Sequence, residues 1–188
     1  MKKAVIMFLF VALTAGLFTG CINSSQNAPQ AAPPAQAEAS APAADAVTSA
    51  SPKESSDPAA LIQGLSANGY WIFSVLSDVT VNEAINVDGE FHDKADPSAA
   101  LYRKLSLYAQ DENYTVTASH TLTVPQINVT SPNFRIQEGT VKGDIYVNAE
   151  GFELLRCTLD GNLTFATQGQ MDSAKLSEGT VTGTVSVK

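Results

Sequence analysis

Residues 134–147 read FRIQEGTVKGDIYV, and residues 152–165 read FELLRCTLDGNLTF. Set one above the other, 18 residues apart, the two lines match in character position by position. A third line, AKLSEGTVTGTVSV at residues 174–187, follows after 22 residues, and LTVPQINV at residues 122–129 falls 18 before TVKGDIYV. Aligned so, Thr123, Val141, Leu159 and Val181 share one row, and Pro125, Gly143, Gly161 and Gly183 a second. Ile127, Ile145, Leu163 and Val185 share a third, and Val129, Val147, Phe165 and Val187 a fourth. Apolar and polar residues alternate along each line, the period of a strand with one buried face and not the 3.6 of a helix. A unit of about 18 residues is also too short for a strand–helix–strand element, which needs roughly 30. It suits a chain that winds round one axis, with each lap about 4.8 Å from the last and like residues in ladders. The spacing predicts an all-β domain, a short parallel β-helix with four clear laps over 122–188 and one to three weaker ones upstream.

The polar rows carry the same register. Arg135, Glu153 and Lys175 align, as do Glu138, Arg156 and Glu178, and Lys142 falls beside Asp160. Opposite charges thus alternate from lap to lap, whereas like charges directly opposed would destabilise the ladder. Gly139, Cys157 and Gly179 share a corner position, where glycine supplies either positive φ or a small side chain. Cys157 is read there as a small residue and not as a reactive thiol. Upstream, INVDGEF at residues 85–91 places Gly89 two laps of 18 before Pro125, and KLSLYA at 104–109 falls in phase with Leu107 in the glycine row. Trp71 and Phe73 are expected in the core of a first lap, residues 92–103 as an outward loop or short helical turn, and AALIQGLSA at 59–67 as a capping helix started by Asp57–Pro58. The rival architecture is an antiparallel sandwich of short strands.

The first twenty residues stand apart from this pattern. Lys2 and Lys3 precede an apolar run, Ala4–Leu17, broken only by Thr14 and Gly16, which is the charged start and core of a secretory signal and is too short to span a bilayer. The run closes on LFTGC, which resembles the lipobox of bacterial lipoproteins. That resemblance implies cleavage between Gly20 and Cys21, a diacylglycerol thioether on Cys21, and an extracytoplasmic protein anchored to a bacterial cell membrane. The 37 residues of Ile22–Pro58 include eleven Ala, seven Ser and six Pro, too few large apolar groups to offset ordering entropy, and read as a disordered spacer. The divisions expected are 1–20 signal, 21–58 lipidated cysteine and linker, and 59–188 folded domain.

That domain holds fifteen acidic and eight basic residues, a net charge of −7, so nucleic acid and anionic headgroups are unsuitable partners. The GTVKGDI and GTVTGTV cadence resembles the bactofilin type of small bacterial β-helix. The resemblance implies a structural protein that uses no nucleotide and associates end to end with copies of itself. The chain departs from that family in carrying an export signal. Partners are therefore expected to be the membrane through the lipid, further copies of the chain, or envelope polysaccharide, with no cofactor. His92 and His120 lie outside any metal-ligand spacing, and no hydrolase or phosphate-binding motif occurs. The catalytic alternative is a small carbohydrate-active enzyme of the pectin-lyase type, another β-helix. Such chemistry needs acidic groups on one face with a basic partner. Asp144 and Asp160, with Lys142 and Arg156 nearby, are the candidates, set diagonally and not as direct partners.

Overall fold

The computed structural model describes residues 53–188. The expected signal, with Gly20 and Cys21, and most of the expected linker lie outside the described residues. The chain enters at β1 (Lys53–Glu54) and forms α1 (Pro58–Leu65). A first pass holds β2 (Ile72–Ser74), β3 (Val79–Thr80) and β4 (Ile85–Val87). A second holds β5 (Arg103–Ser106), the hairpin β6 (Tyr108–Gln110) and β7 (Val116–Ser119), and β8 (Thr121–Val129). β9 (Phe134–Gln137) and β10 (Thr140–Val147) make the third pass, and β11 (Glu153–Asp160) with β12 (Leu163–Phe165) the fourth. The next contains α2 (Gln168–Ser173), β13 (Lys175–Val181) and β14 (Val185–Val187).

Strands of successive passes pair in parallel. β1, β2, β5, β9, β11 and β13 follow one another down one side. β3 and β4 both pair with β8, and β8 with β10. β10 divides its partnership between β11 and β12, with β14 beyond β12. The outcome is one curled parallel sheet, a half-barrel wrapped round a single apolar core. Among the described residues the antiparallel contacts are the β6–β7 hairpin and an isolated bridge from His92 to Leu101. This pairing excludes the antiparallel sandwich.

The register over the later passes is the one the sequence spells, except that β13 is irregular against β11 and sets Glu178 opposite Leu155 and not Arg156. Val141 faces Leu159 and then Val181; Ile145 faces Leu163 and then Val185; Val147 faces Phe165 and then Val187. Phe134 and Phe152 stack at 6.4 Å between ring centroids, and Phe152 meets Phe165 edge-on at the same separation. Arg135 bonds Glu153 at 2.8 Å, and Arg156 reaches Glu138 at 2.5 Å and Glu178 at 3.6 Å. The four additional residues of the last offset go into α2. Thr167 and Gln170 close a capping box there, with Thr167 Oγ1 accepting from Gln170 N at 3.3 Å.

Upstream the register departs from expectation at three places. Val141 faces Leu122, not Thr123, because Val124 and Pro125 together face Gly143 in a β-bulge. Proline has no N–H for the ladder, and a bulge is one of the few interior sites a strand can give it. KLSLYA does not continue the glycine row: Leu105 pairs with Ile136, since the hairpin between β5 and β8 is an insertion that breaks the phase. Ile85 and Val87 pair with Ile127 and Val129, which carries Gly89 past that row to Ser131, whose hydroxyl donates to Gly89 O at 2.6 Å. Residues 92–103 supply a single 3₁₀ turn, Asp93–Ala95. Ordered pairing also begins at Lys53, ahead of the boundary expected at Ala59.

Corners are built differently from a simple glycine rule. Positive φ falls on Glu138 (60°) and Gly139 (65°), and one pass later on Arg156 (51°), so the ion pair joins two charged residues that both lie in the left-handed region. Gly143 is required for another reason: at φ 142° an added Cβ would lie 1.7 Å from Val124 O.

The helix α1 begins as Asp57 and Pro58 predict, with Asp57 Oδ1 accepting from Ala59 N at 2.7 Å and Ala60 N at 3.1 Å. It lays Leu61 and Leu65, both fully buried, on the core of the first pass beside Phe73. A feature with no sequence signal fixes it there. Arg103 is 0% exposed, and its guanidinium donates to Tyr70 O at 3.1 Å, Gly64 O at 3.1 Å, Ser66 O at 2.8 Å and Asp88 O. The Phe91 ring lies beneath it at 4.0 Å. Burial pushes its pKa down to about 9, which leaves it charged at neutral pH. One side chain thus satisfies carbonyls at the end of α1 that have no helical partner.

Candidate functional site

The outward face of β8, β10 and β12 bears two ladders of polar side chains. Gln126 and Asp144 face one another in the first, and Asn162 continues it, its backbone N–H and Nδ2 donating to Asp144 Oδ1 at 2.8 Å and 3.0 Å. Asn162 Oδ1 in turn accepts from Thr184 N at 3.0 Å. The second ladder runs Asn86, Asn128, Tyr146, Thr164 and Ser186. Asn128 Nδ2 donates to Asn86 Oδ1 at 2.9 Å and Asn128 Oδ1 accepts from Gln126 Nε2 at 2.6 Å, tying the two ladders together. Between them lies a groove of about 520 Å³, lined chiefly by Gln126, Asn128, Asp144, Tyr146 and Asn162. Lys188 completes the lining, with its Nζ 5.7 Å from the centroid of the Tyr146 ring.

The local sequence makes this surface. Alternation puts Ile127, Ile145 and Leu163 into the core and so turns their neighbours outward. Parallel stacking then brings amides, a carboxylate and a phenol from residues as far apart as 86 and 162 onto one face. Asn128 and Asn162 are held by both side-chain polar atoms and Gln126 and Asp144 by one each, while Gln126 Oε1, Asp144 Oδ2, Tyr146 Oη and Lys188 Nζ have no hydrogen-bond partner among the described residues. The groove therefore offers fixed acceptors, a hydroxyl, an ammonium and one aromatic ring.

The four catalytic candidates do not assemble. Asp144 lines the groove, whereas Asp160 sits opposite Lys142, two residues along the strand, and accepts from Thr182 Oγ1 at 3.2 Å. Arg156 is occupied by Glu138 and Glu178, and the Glu138 hydrogen bond raises its pKa further. Asp144 spends one carboxylate oxygen on Asn162. This geometry gives no pair of facing carboxylates with a free base between them.

Cys157 is 1% exposed, and burial pushes its thiol up to about 12, so it stays protonated and shielded at neutral pH. His92 Nδ1 lies 2.7 Å from Ala99 O, and His120 Nε2 is buried without a partner. Among the described residues no group of three or more His, Cys, Asp or Glu is placed to hold a metal ion, and no helix is long and apolar enough to cross a membrane. Reading the sequence for catalysis missed Gln126, Asn128, Tyr146 and Asn162. The signal was present: each is the polar residue next to a core position on adjoining lines. Comparison of the chain with protein-family models, with curated proteins and with solved structures finds no match.

Proposed function

We propose that this chain is a lipid-anchored protein of a bacterial cell envelope whose folded part is a short parallel β-helix serving as a binding module for envelope polysaccharide. The observation that carries the binding role is the outer groove, with four convergent hydrogen-bonding groups that the fold leaves unused. Side chains already fixed by ladder bonds lose little entropy on meeting a ligand, which is the condition for a pre-formed site. The anchor reading rests on LFTGC after the apolar run, and the spacer sets the module clear of the headgroups.

Two measurements test the parts separately. Replacing Cys21 by Ser should move the full chain from the membrane fraction to the soluble or uncleaved fraction; undiminished lipid labelling of the variant would sink the anchor. The full chain in detergent should cosediment with an insoluble envelope polysaccharide fraction. Thr164→Arg, which fills the groove from a half-buried outward position, should abolish that retention, whereas Lys142→Ala outside the groove should leave it intact. A chain that stays wholly in the supernatant would end the binding role.

A further inference from the structure

We infer that the groove takes a neutral pyranose chain laid across the strands, with one sugar face on Tyr146 and its hydroxyls on Gln126 Oε1, Asp144 Oδ2 and Lys188 Nζ. The inference rests on the binding role proposed above and adds the ligand's chemistry, its direction and the residues that recognise it.

Three observations select this class. The unused groups are two fixed acceptors, one hydroxyl and one ammonium, a mixture that suits hydroxyl groups, each of which both donates and accepts. Asp144 in the groove, on a domain of net charge −7, disfavours an acidic polymer. The groove also crosses the paired strands β8, β10 and β12 and does not follow a free edge, so an extended peptide would find no backbone ladder to join.

Direction follows from the sheet. Ladder positions repeat every pass, about 4.8 Å apart, close to the repeat of an extended pyranose chain. Gln126, Asp144 and Asn162 supply such positions on three consecutive passes. Tyr146, half-buried between Asn128 and Thr164 of its neighbours, presents the one aromatic ring of the groove. Amphipathic sugar rings stack on such a surface through their C–H face, while the hydroxyl rim meets the polar ladder on either side. Lys188, packed by that ring, would swing aside to meet a hydroxyl.

The test titrates the full chain in detergent, by calorimetry, with cellohexaose, with the hexamer of N-acetylglucosamine, and with polygalacturonate as the acidic polymer. Binding of one or both neutral hexamers is expected, and which of them binds tells a plain from an N-acetylated chain. Tyr146→Ala should weaken that binding roughly tenfold, the loss of one aromatic contact. Should Tyr146→Ala fail to fold, Thr164→Trp reads the same site by filling it, and should block the hexamer entirely. The proposal is overturned if neither neutral hexamer binds, if polygalacturonate alone binds, or if a bound hexamer is indifferent to the groove variants. Retention on whole envelope polysaccharide with no hexamer binding would refute the ligand class while leaving the broader binding role standing.

Discussion

Arg103→Ala should destabilise the folded domain by about 4 kcal/mol, since it removes the shared donor of four carbonyls, of which Gly64 O and Ser66 O keep a backbone partner in Tyr70 N and Gly69 N, and opens a cavity beside Phe91. Each orphaned acceptor costs about 1–3 kcal/mol if it stays dry, and water entering the vacated space offsets part of that sum. For a domain of this size the midpoint of thermal unfolding should fall by roughly 10–15 °C. Arg103→Lys should recover only a part. Lysine keeps the charge but presents a point donor, where the fork spans Gly64, Ser66, Tyr70 and Asp88 at once. Urea unfolding of the three proteins measures the effect. A loss below about 1 kcal/mol in Arg103→Ala would mean that α1 does not depend on this contact. Hydrogen exchange should show α1 protection falling first, because Gly64 and Ser66 lie at its end.

Phe152→Ala should cost a similar 3–5 kcal/mol through the core itself. Phe152 is 1% exposed and touches rings on two sides, Phe134 on the preceding pass and Phe165 across the core, each at 6.4 Å. Deleting it leaves a cavity that rigid strands cannot close, because backbone pairing fixes the distance between passes. The double variant Phe134→Ala/Phe152→Ala should cost less than the two single changes together, since both disturb one stack. Strict additivity would show that the two rings do not share a contact, and the stacking register would then be wrong.

The extent to which the sequence foretold the molecule varies along the chain. Over residues 134–165 the alternation, the 18-residue offset and the charge order lead directly to the observed pairs, down to Arg135 with Glu153 and Glu138 with Arg156. There each strand packs on a copy of its own pattern, so local periodicity and tertiary contact carry the same message. Upstream that identity fails. The hairpin Tyr108–Ser119 and the segment 92–101 lengthen the offsets to 31 residues for Leu105–Ile136 and 42 for Ile85–Ile127, and no constant period survives. The Pro125 bulge shifts one row by a residue for a reason proline's chemistry announces, yet its exact place depends on Gly143 opposite. The candidate site divides in the same way. Asp144 stood out because it is charged, while the amides that make it a groove did not, since a lone Asn or Gln carries no motif.

By itself the sequence determined which face of the strands from Phe134 to Phe165 is buried, that successive passes pair in parallel from residue 134 onward, and where α1 begins. Those properties follow from side-chain period and capping chemistry within a short window of chain. Only the tertiary structure decided that Arg103 would meet carbonyls from residues 64, 66, 70 and 88, and that Gln126, Asp144, Tyr146 and Asn162 would line one groove. Both are meetings of residues distant in sequence: the first is set by the path of the inserted loops, which no periodicity encodes, and the second by the pairing of β8, β10 and β12, whose row offset is legible while the groove the side chains enclose is not.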